Sequence, residues 1–322
     1  MSKTKSYWLI AAAALIAAGL VIFLGGMAVL NFDFTKLNLS KYETNTYEPG
    51  EDFTQIVIDV DTTEIEFVRL DDGRCKIVCF EREREKHSAT VKDGTLTVET
   101  VDTRKWYDHI GFSIGTPKMT VYLPEEKYES LSISTHTGDI EIPEAFTFDR
   151  LTVVGTTGDI ECQASVSNEM NIEFTTGDIE VSEIAVGSLV LSVTTGRIEV
   201  DSVTCDGDIG VSTTTGGTKL TDVTCRNLTS RGDTGRVTLK NVIASDLMSI
   251  ERSTGDVVFD GSDAGQLQVK TSTGHVTGTL LSPKVFITEA STGHIRVPKT
   301  TTGGRCEITT STGNIEITAP EA

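Results

Sequence analysis

A Thr-Gly pair recurs down the chain with its glycines at Gly138, Gly158, Gly177, Gly196, Gly216, Gly235, Gly255, Gly274, Gly293 and Gly313, every interval being 19 or 20 residues. A period of this size, held over more than half of 322 residues, constrains the fold more than any other feature, because it marks a stack of like units and not a folded globule.

The flanking residues keep the same register. Two positions after the glycine stand Ile140, Ile160, Ile179, Ile198, Thr218, Val237, Val257, Val276, Ile295 and Ile315. Seven before it stand Leu131, Leu151, Met170, Leu189, Ile209, Leu228, Met248, Leu267, Phe286 and Cys306. Apolar and polar residues alternate, which is the period of half-buried strands, and helical spacing is absent. One such unit cannot bury its own apolar face, whereas stacked copies build parallel ladders around a continuous core. The fold class is therefore all-β: a single parallel β-solenoid of about ten regular coils, roughly 50 Å long at the usual strand spacing. Glycine at each corner admits a positive φ, and the preceding threonines should stack hydroxyl on hydroxyl. Thr218 interrupts the column two after the glycine, and Gly278 the apolar column four after it, while Ser230 and Thr288 interrupt the one five before it, so the core should be looser there.

Residues 8–30 carry no charge and follow Lys3 and Lys5. About 20 such residues span a bilayer, and flanking positive charge stays inside. The reading is a cytoplasmic tail over 1–7, a transmembrane helix over 8–30, a polar linker over 31–50 and an exported remainder, placing the protein in the cell membrane as a single-pass chain. The rival is a cleaved signal peptide ending near Gly26-Met27-Ala28. With no second anchor visible before the C-terminus, the rod is expected to be tethered at one end. Residues 51–130 are strand-like but lack the Thr-Gly marker. They read as irregular N-terminal layers and a cap, with the regular repeats over 131–319. "EREREKH" (Glu81 to His87) reads as a protruding, solvated hairpin.

A formal net charge of −19 disfavours nucleic acid, whose phosphates need a basic surface. Six cysteines include no CxxC pair. They read as buried small hydrophobes, with a Cys205–Cys225 disulfide between adjacent coils as the alternative.

Residues with chemical potential are few. Asp139, Asp159 and Asp178 share the slot after the glycine and could attract Ca²⁺, yet one carboxylate per long repeat is a sparse ligand set; a solvated acidic column is the expectation. His275 and His294 are expected as neighbours in that slot, with Asp256 one coil before, as a conceivable but incomplete metal site. Glu141, Glu161, Glu180 and Glu199 form an outward column that singles out no catalytic pair, so neither catalytic residues, nor a metal, nor a cofactor are assigned. A Thr ladder beside a corner, not on a flat face, argues against ice binding. The one irregular aromatic segment holds Trp106, Tyr107 and Phe112, which are candidate contacts to a partner or a cover for the open core.

The N-terminal apolar segment, the irregular strands "DGTLTVE" and "KMTVYLP" and the "LSISTHTGDIEI"-type units resemble a bacterial family of "putative adhesin" β-strand-repeat domains of unknown function, over roughly residues 50–318. The resemblance implies no catalytic residues to carry over, and a role at the cell envelope. The expected function is a non-enzymatic, membrane-anchored surface protein that presents a rigid solenoid for adhesion or contact with an envelope protein or glycan. The alternatives are an accessory component of envelope-stress sensing and, third, a polysaccharide-active enzyme.

Overall fold

The computed structural model describes residues 3–29, 31–32, 41–70, 73–105 and 115–321. Helix α1 (Lys3–Val29) is uninterrupted and has no polar stripe. Its Ile10–Val29 stretch is long and apolar enough to cross a membrane. All strands that follow belong to one continuous sheet wound into coils.

The regular coils begin with β8 (Lys127–Thr137) and β9 (Ile140–Ile142), which run into the two sides of the rod. The same pair recurs as β10 (Thr147–Thr157) and β11 (Ile160–Cys162), then β12 (Ser165–Thr176) and β13 (Ile179–Ser182). Pairing is parallel and in register: Leu131, Leu151, Met170 and Leu189 lie side by side, as do Ile140, Ile160, Ile179 and Ile198. Both columns are buried. The threonines before each glycine are also in register. Their link is the main chain: Gly158 N–H donates to Thr176 O at 3.1 Å and Gly177 N–H to Thr195 O at 3.0 Å.

The corner glycines are required twice over. Gly196 has φ +147°, and a Cβ there would lie 1.8 Å from the carbonyl oxygen of Gly177 in the preceding coil. A second corner column opens six residues further on, where Glu183, Ser202, Asp222, Asn241 and Gly261 all take φ between 52° and 63°. Asp, Asn and Gly are the residues that accept this left-handed conformation most readily. Asn241 Nδ2 also donates to Asp222 Oδ1 at 2.8 Å, tying two of these corners together.

The stack continues into the region without markers. β2 (Gln55–Thr62) pairs in parallel with β8, and β3 (Glu64–Arg69) with β9. "TTEIEF" is thus a disguised coil in which Thr63 stands at the corner glycine's place, buried and with its side chain directed at the cap. β6 (Thr95–Asp102) and β7 (Lys118–Leu123) add one further parallel layer, on β2 and β3. The direction then reverses: β5 (Glu85–Lys92) runs antiparallel on β6, β4 (Lys76–Arg82) on β7, and β1 (Tyr42–Tyr47) on β4. These antiparallel strands close the N-terminal end. The "EREREKH" hairpin corrects its sequence reading: Glu81, Glu85 and His87 point inward and are buried, and only the opposite face and the turn meet solvent.

The core is not looser at two of the four breaks in the apolar columns, Thr218 and Ser230, whereas at Thr288, on the outer C-terminal coil, the side chain and its neighbours Phe286 and Ala290 are only half-buried. Thr218 and Ser230 are buried and both accept hydrogen bonds from Nη2 of Arg252, at 2.9 and 3.0 Å. Arg252 is only 2% exposed and lies where the neighbouring coil has Gly232, whose missing side chain leaves the space. Burial pulls the Arg252 pKa down to about 10. The interruptions at Thr218 and Ser230 are thus filled by one long side chain.

The C-terminal end departs from sequential stacking. β19 (Val257–Thr273) pairs with β23 (Gly304–Thr312), and β23 in turn pairs with β21 (Lys284–Thr292). β20 (Val276–Leu280) and β22 (Ile295–Arg296) likewise flank β24 (Ile315–Thr318). The last coil in the sequence therefore lies between the two before it. Lys284 on the outer coil reaches across Gly304 of the inserted coil to Asp263 Oδ1 (2.5 Å) and Ala264 O (2.6 Å). A side chain at residue 304 would crowd this buried latch.

This insertion sets a distance that sequence order would not. Spin labels at His275→Cys and His294→Cys should report a backbone separation of two coil spacings, about 10 Å, and not one spacing of about 5 Å. Dipolar broadening of the labelled protein checks it, the native thiols being buried.

Candidate functional site

Trp106, Tyr107 and Phe112, the aromatic contacts expected from sequence, lie outside the described residues. The N-terminal half of the rod carries two columns of carboxylates. There Glu66, Glu141, Glu161, Glu180 and Glu199 stand in register on successive coils. Beside them run Asp139, Asp159 and Asp178, and the two columns flank a shallow groove of about 320 Å³ with Ile65, Ile140 and Ile160 at its base. Lys118 bridges Glu64 (3.1 Å) and Glu66 (3.0 Å) at one end, and Arg197 bridges Asp178 (3.0 Å) and Glu199 (3.2 Å) at the other. Between these ends the carboxylates face solvent, so the strip carries concentrated negative charge at coil spacing.

The aspartates of the corner slot have a structural task. Asp139 Oδ1 accepts the N–H of Asp159 (2.9 Å), Asp159 Oδ1 that of Asp178 (2.7 Å), and Asp178 Oδ1 that of Arg197 (2.7 Å). Main-chain ladders satisfy the N–H groups of the glycine and of the residue two beyond it; the side chain of the preceding coil satisfies the one in between. One oxygen of each carboxylate is thereby committed to the backbone. Asp256 does the same for His275 N–H at 3.0 Å, and Asn314 for His294 N–H at 3.2 Å.

His275 and His294 are not neighbours. The inserted coil places Asn314 between them, and Asn314 N–H donates to His275 Nδ1 at 3.0 Å. His294 Nε2 instead lies 2.7 Å from Glu316 Oε1. The metal site conceived from their sequence spacing therefore does not form.

All six cysteines are buried free thiols. Cys205 and Cys225 do lie on adjacent coils. Parallel in-register neighbours stand about 4.8 Å apart with parallel side chains, beyond the ~3.8 Å Cβ separation of a disulfide. Burial pushes the thiols of Cys75, Cys79, Cys162, Cys225 and Cys306 up to about 12.

The cap holds a cluster that the sequence reading did not assemble. Cys79 and Glu81 share the inner face of β4, and His87 enters from β5; each is at most 5% exposed. His87 Nδ1 lies 2.6 Å from Glu81 Oε2, which also accepts the His87 main-chain N–H at 2.8 Å. Asn45 Nδ2 and Tyr47 Oη both donate to Glu81 Oε1 at 2.7 Å. Hydrogen bonding to that carboxylate adds to burial in raising the Tyr47 pKa. The alternation of Cys79 and Glu81 on one strand was a legible signal; the inward turn of His87 beyond the hairpin was not.

Parallel coils stacked in register around an apolar core, with antiparallel pairing among the described residues confined to the cap, define a β-solenoid repeat protein. The chain belongs to the Toastrack DUF4097 family, whose model matches residues 53–215 and again 204–322. Its fold is similar to that of a "putative adhesin" from Bacteroides fragilis, at 15% identity over 87% of this chain and 97% of that one, with a TM-score of 0.43. A "putative adhesin" from Parabacteroides distasonis matches at 10% identity over 87% and 98%, with a TM-score of 0.47. A "putative lipid binding protein" from the same species matches at 16% over 73% and 94%, with a TM-score of 0.45. No curated protein matches the chain.

The corner ladder has a pH signature. Asp256 is held below the usual carboxylate range, first by the N–H of His275 and then by Arg236, against the opposing effect of burial. A carboxyl depressed in the folded state contributes stability above its unfolded pKa of about 3.9 and loses it as pH falls through the folded value. Asp256→Asn keeps an acceptor oxygen but does not titrate. Its unfolding midpoint should fall less steeply than that of the wild type as pH drops below about 4, as followed by thermal melts.

Proposed function

We propose that this is a non-enzymatic surface protein, held at the membrane by its N-terminal helix, that presents the solenoid as a rigid contact surface to a protein or glycan of the cell envelope. In this reading residues 1–7 are cytoplasmic, 8–30 span the bilayer, 31–50 link helix to rod, and 51–130 and 131–319 are the cap layers and regular coils outside. The positive charges at Lys3 and Lys5 support that orientation.

The observation that carries the reading is the acidic strip. Its carboxylates repeat at coil spacing on a backbone braced from coil to coil, because each aspartate accepts an N–H of the next coil. Such a surface attracts and orients basic partners with little ordering cost on its own side. The same regularity counts against catalysis, since a column of equivalent carboxylates offers no acid and base in distinct environments.

The full-length protein in detergent, immobilised and exposed to cell-envelope extract and to glycans, should capture a specific partner. Capture should weaken several-fold as salt rises from low to physiological ionic strength, and should fall in Glu161→Gln/Glu180→Gln. Loss in Trp106→Ala/Tyr107→Ala alone would move the contact to the aromatic segment. No capture from any source would contradict the contact function.

A further inference from the structure

We propose that Cys79, Glu81 and His87 form a binding site for a divalent ion of the zinc class, built into the cap where the chain arriving from the membrane helix joins the rod. One ligand atom from each of the three lies within 4.8 Å of the other two, and all three residues are buried. A tetrahedral ion with bonds of about 2.0–2.3 Å holds its ligand atoms about 3.3–3.6 Å apart. Binding an ion would open the 2.6 Å contact between His87 Nδ1 and Glu81 Oε2 and draw ligand atoms now up to 4.8 Å apart inward, shifts of about an ångström.

The donor set selects the ion. Thiolate sulfur, imidazole nitrogen and one carboxylate oxygen suit zinc or a similar borderline ion, and a set with a single hard oxygen excludes calcium and magnesium. Ligand strands already share a geometry that favours chelation: Cys79 and Glu81 are two apart on one strand, with the same face inward, and His87 crosses from the partner strand of the hairpin.

An outer shell is in place as well. Asn45 and Tyr47 fix one oxygen of Glu81, leaving the other toward His87. Thr63 Oγ1 lies 3.3 Å from His87 Nε2, the ring nitrogen not used for the ion, and so sets the ring's orientation. Groups of this kind orient metal ligands and fix the histidine tautomer. Thr63 is the residue that replaces glycine at the corner of the disguised coil, so the departure from the repeat has a use here. Because Asn45 and Tyr47 belong to β1, the first strand after the linker, the ion would lock β4 and β5 together and fasten the tether strand through Glu81.

The test uses full-length protein carrying a tag without histidines, unfolded, stripped with chelator and refolded with Zn²⁺ or Co²⁺. The site predicts stoichiometric zinc by elemental analysis and a thiolate-to-cobalt charge-transfer band. Cys79→Ser and His87→Gln should each lose the band and most of the zinc while circular dichroism remains that of the wild type. Chelation should lower the melting temperature of the wild type and not that of Cys79→Ala. Folded wild-type protein that takes up neither ion overturns the proposal, as does metal that survives both ligand substitutions.

Discussion

The structure depends on how closely successive coils pass at the glycine corner. Along the column a Cβ would lie 1.7–2.2 Å from the carbonyl oxygen of the preceding glycine, from Gly158 through Gly255. No side chain fits, and the φ of about +140° at these positions is one that other residues rarely adopt. This tight passage brings Gly N–H onto the carbonyl of the neighbouring threonine and the corner aspartate onto the next coil's N–H. Everything else in the rod, from the aliphatic columns to the acidic strip, inherits its spacing from that contact.

The two ends solve the problem of exposed ladder edges differently. At the N-terminal end the strands turn antiparallel and lay a hairpin and β1 over the stack. At the other end the chain leaves a gap one coil wide and fills it with its own last coil, latched by Lys284 and Asp263. The outermost strands there carry charge and proline, with Arg296, Pro298 and Lys299 at or beside β22. Charge and proline are ordinary means of keeping an edge from pairing with another chain.

Much of this was legible in the sequence, because a period of 19–20 residues with two apolar columns admits little besides stacked coils. Both the in-register columns and the corner role of glycine follow from that pattern. The order of the last three coils did not, since all three carry the same marker and local pattern cannot say which neighbour each will find. The disguised first coil was hidden by one substitution, Thr63 for glycine, at the corner that faces the cap. Polar positions such as Thr218 and Ser230 read as defects until Arg252, 22 residues beyond Ser230 and on another coil, supplies their partner. The cap cluster escaped for a similar reason: charged residues in "EREREKH" suggest solvent, and although Glu81 shares a strand face with Cys79, only the tertiary fold turns His87 inward beside it.

The most direct test of this account compares two alanines. Gly196→Ala puts a methyl group against the Gly177 carbonyl at a positive φ, whereas Gly210, within a strand, has nothing within 4 Å of the added carbon. Unfolding midpoints of the two full-length variants should separate widely. Gly196→Ala should lose about 3–5 kcal/mol, from strain and steric crowding together, and Gly210→Ala should stay within about 1 kcal/mol of the wild type. Equal stability of the two would mean that the glycine corners are not what sets the spacing of the coils.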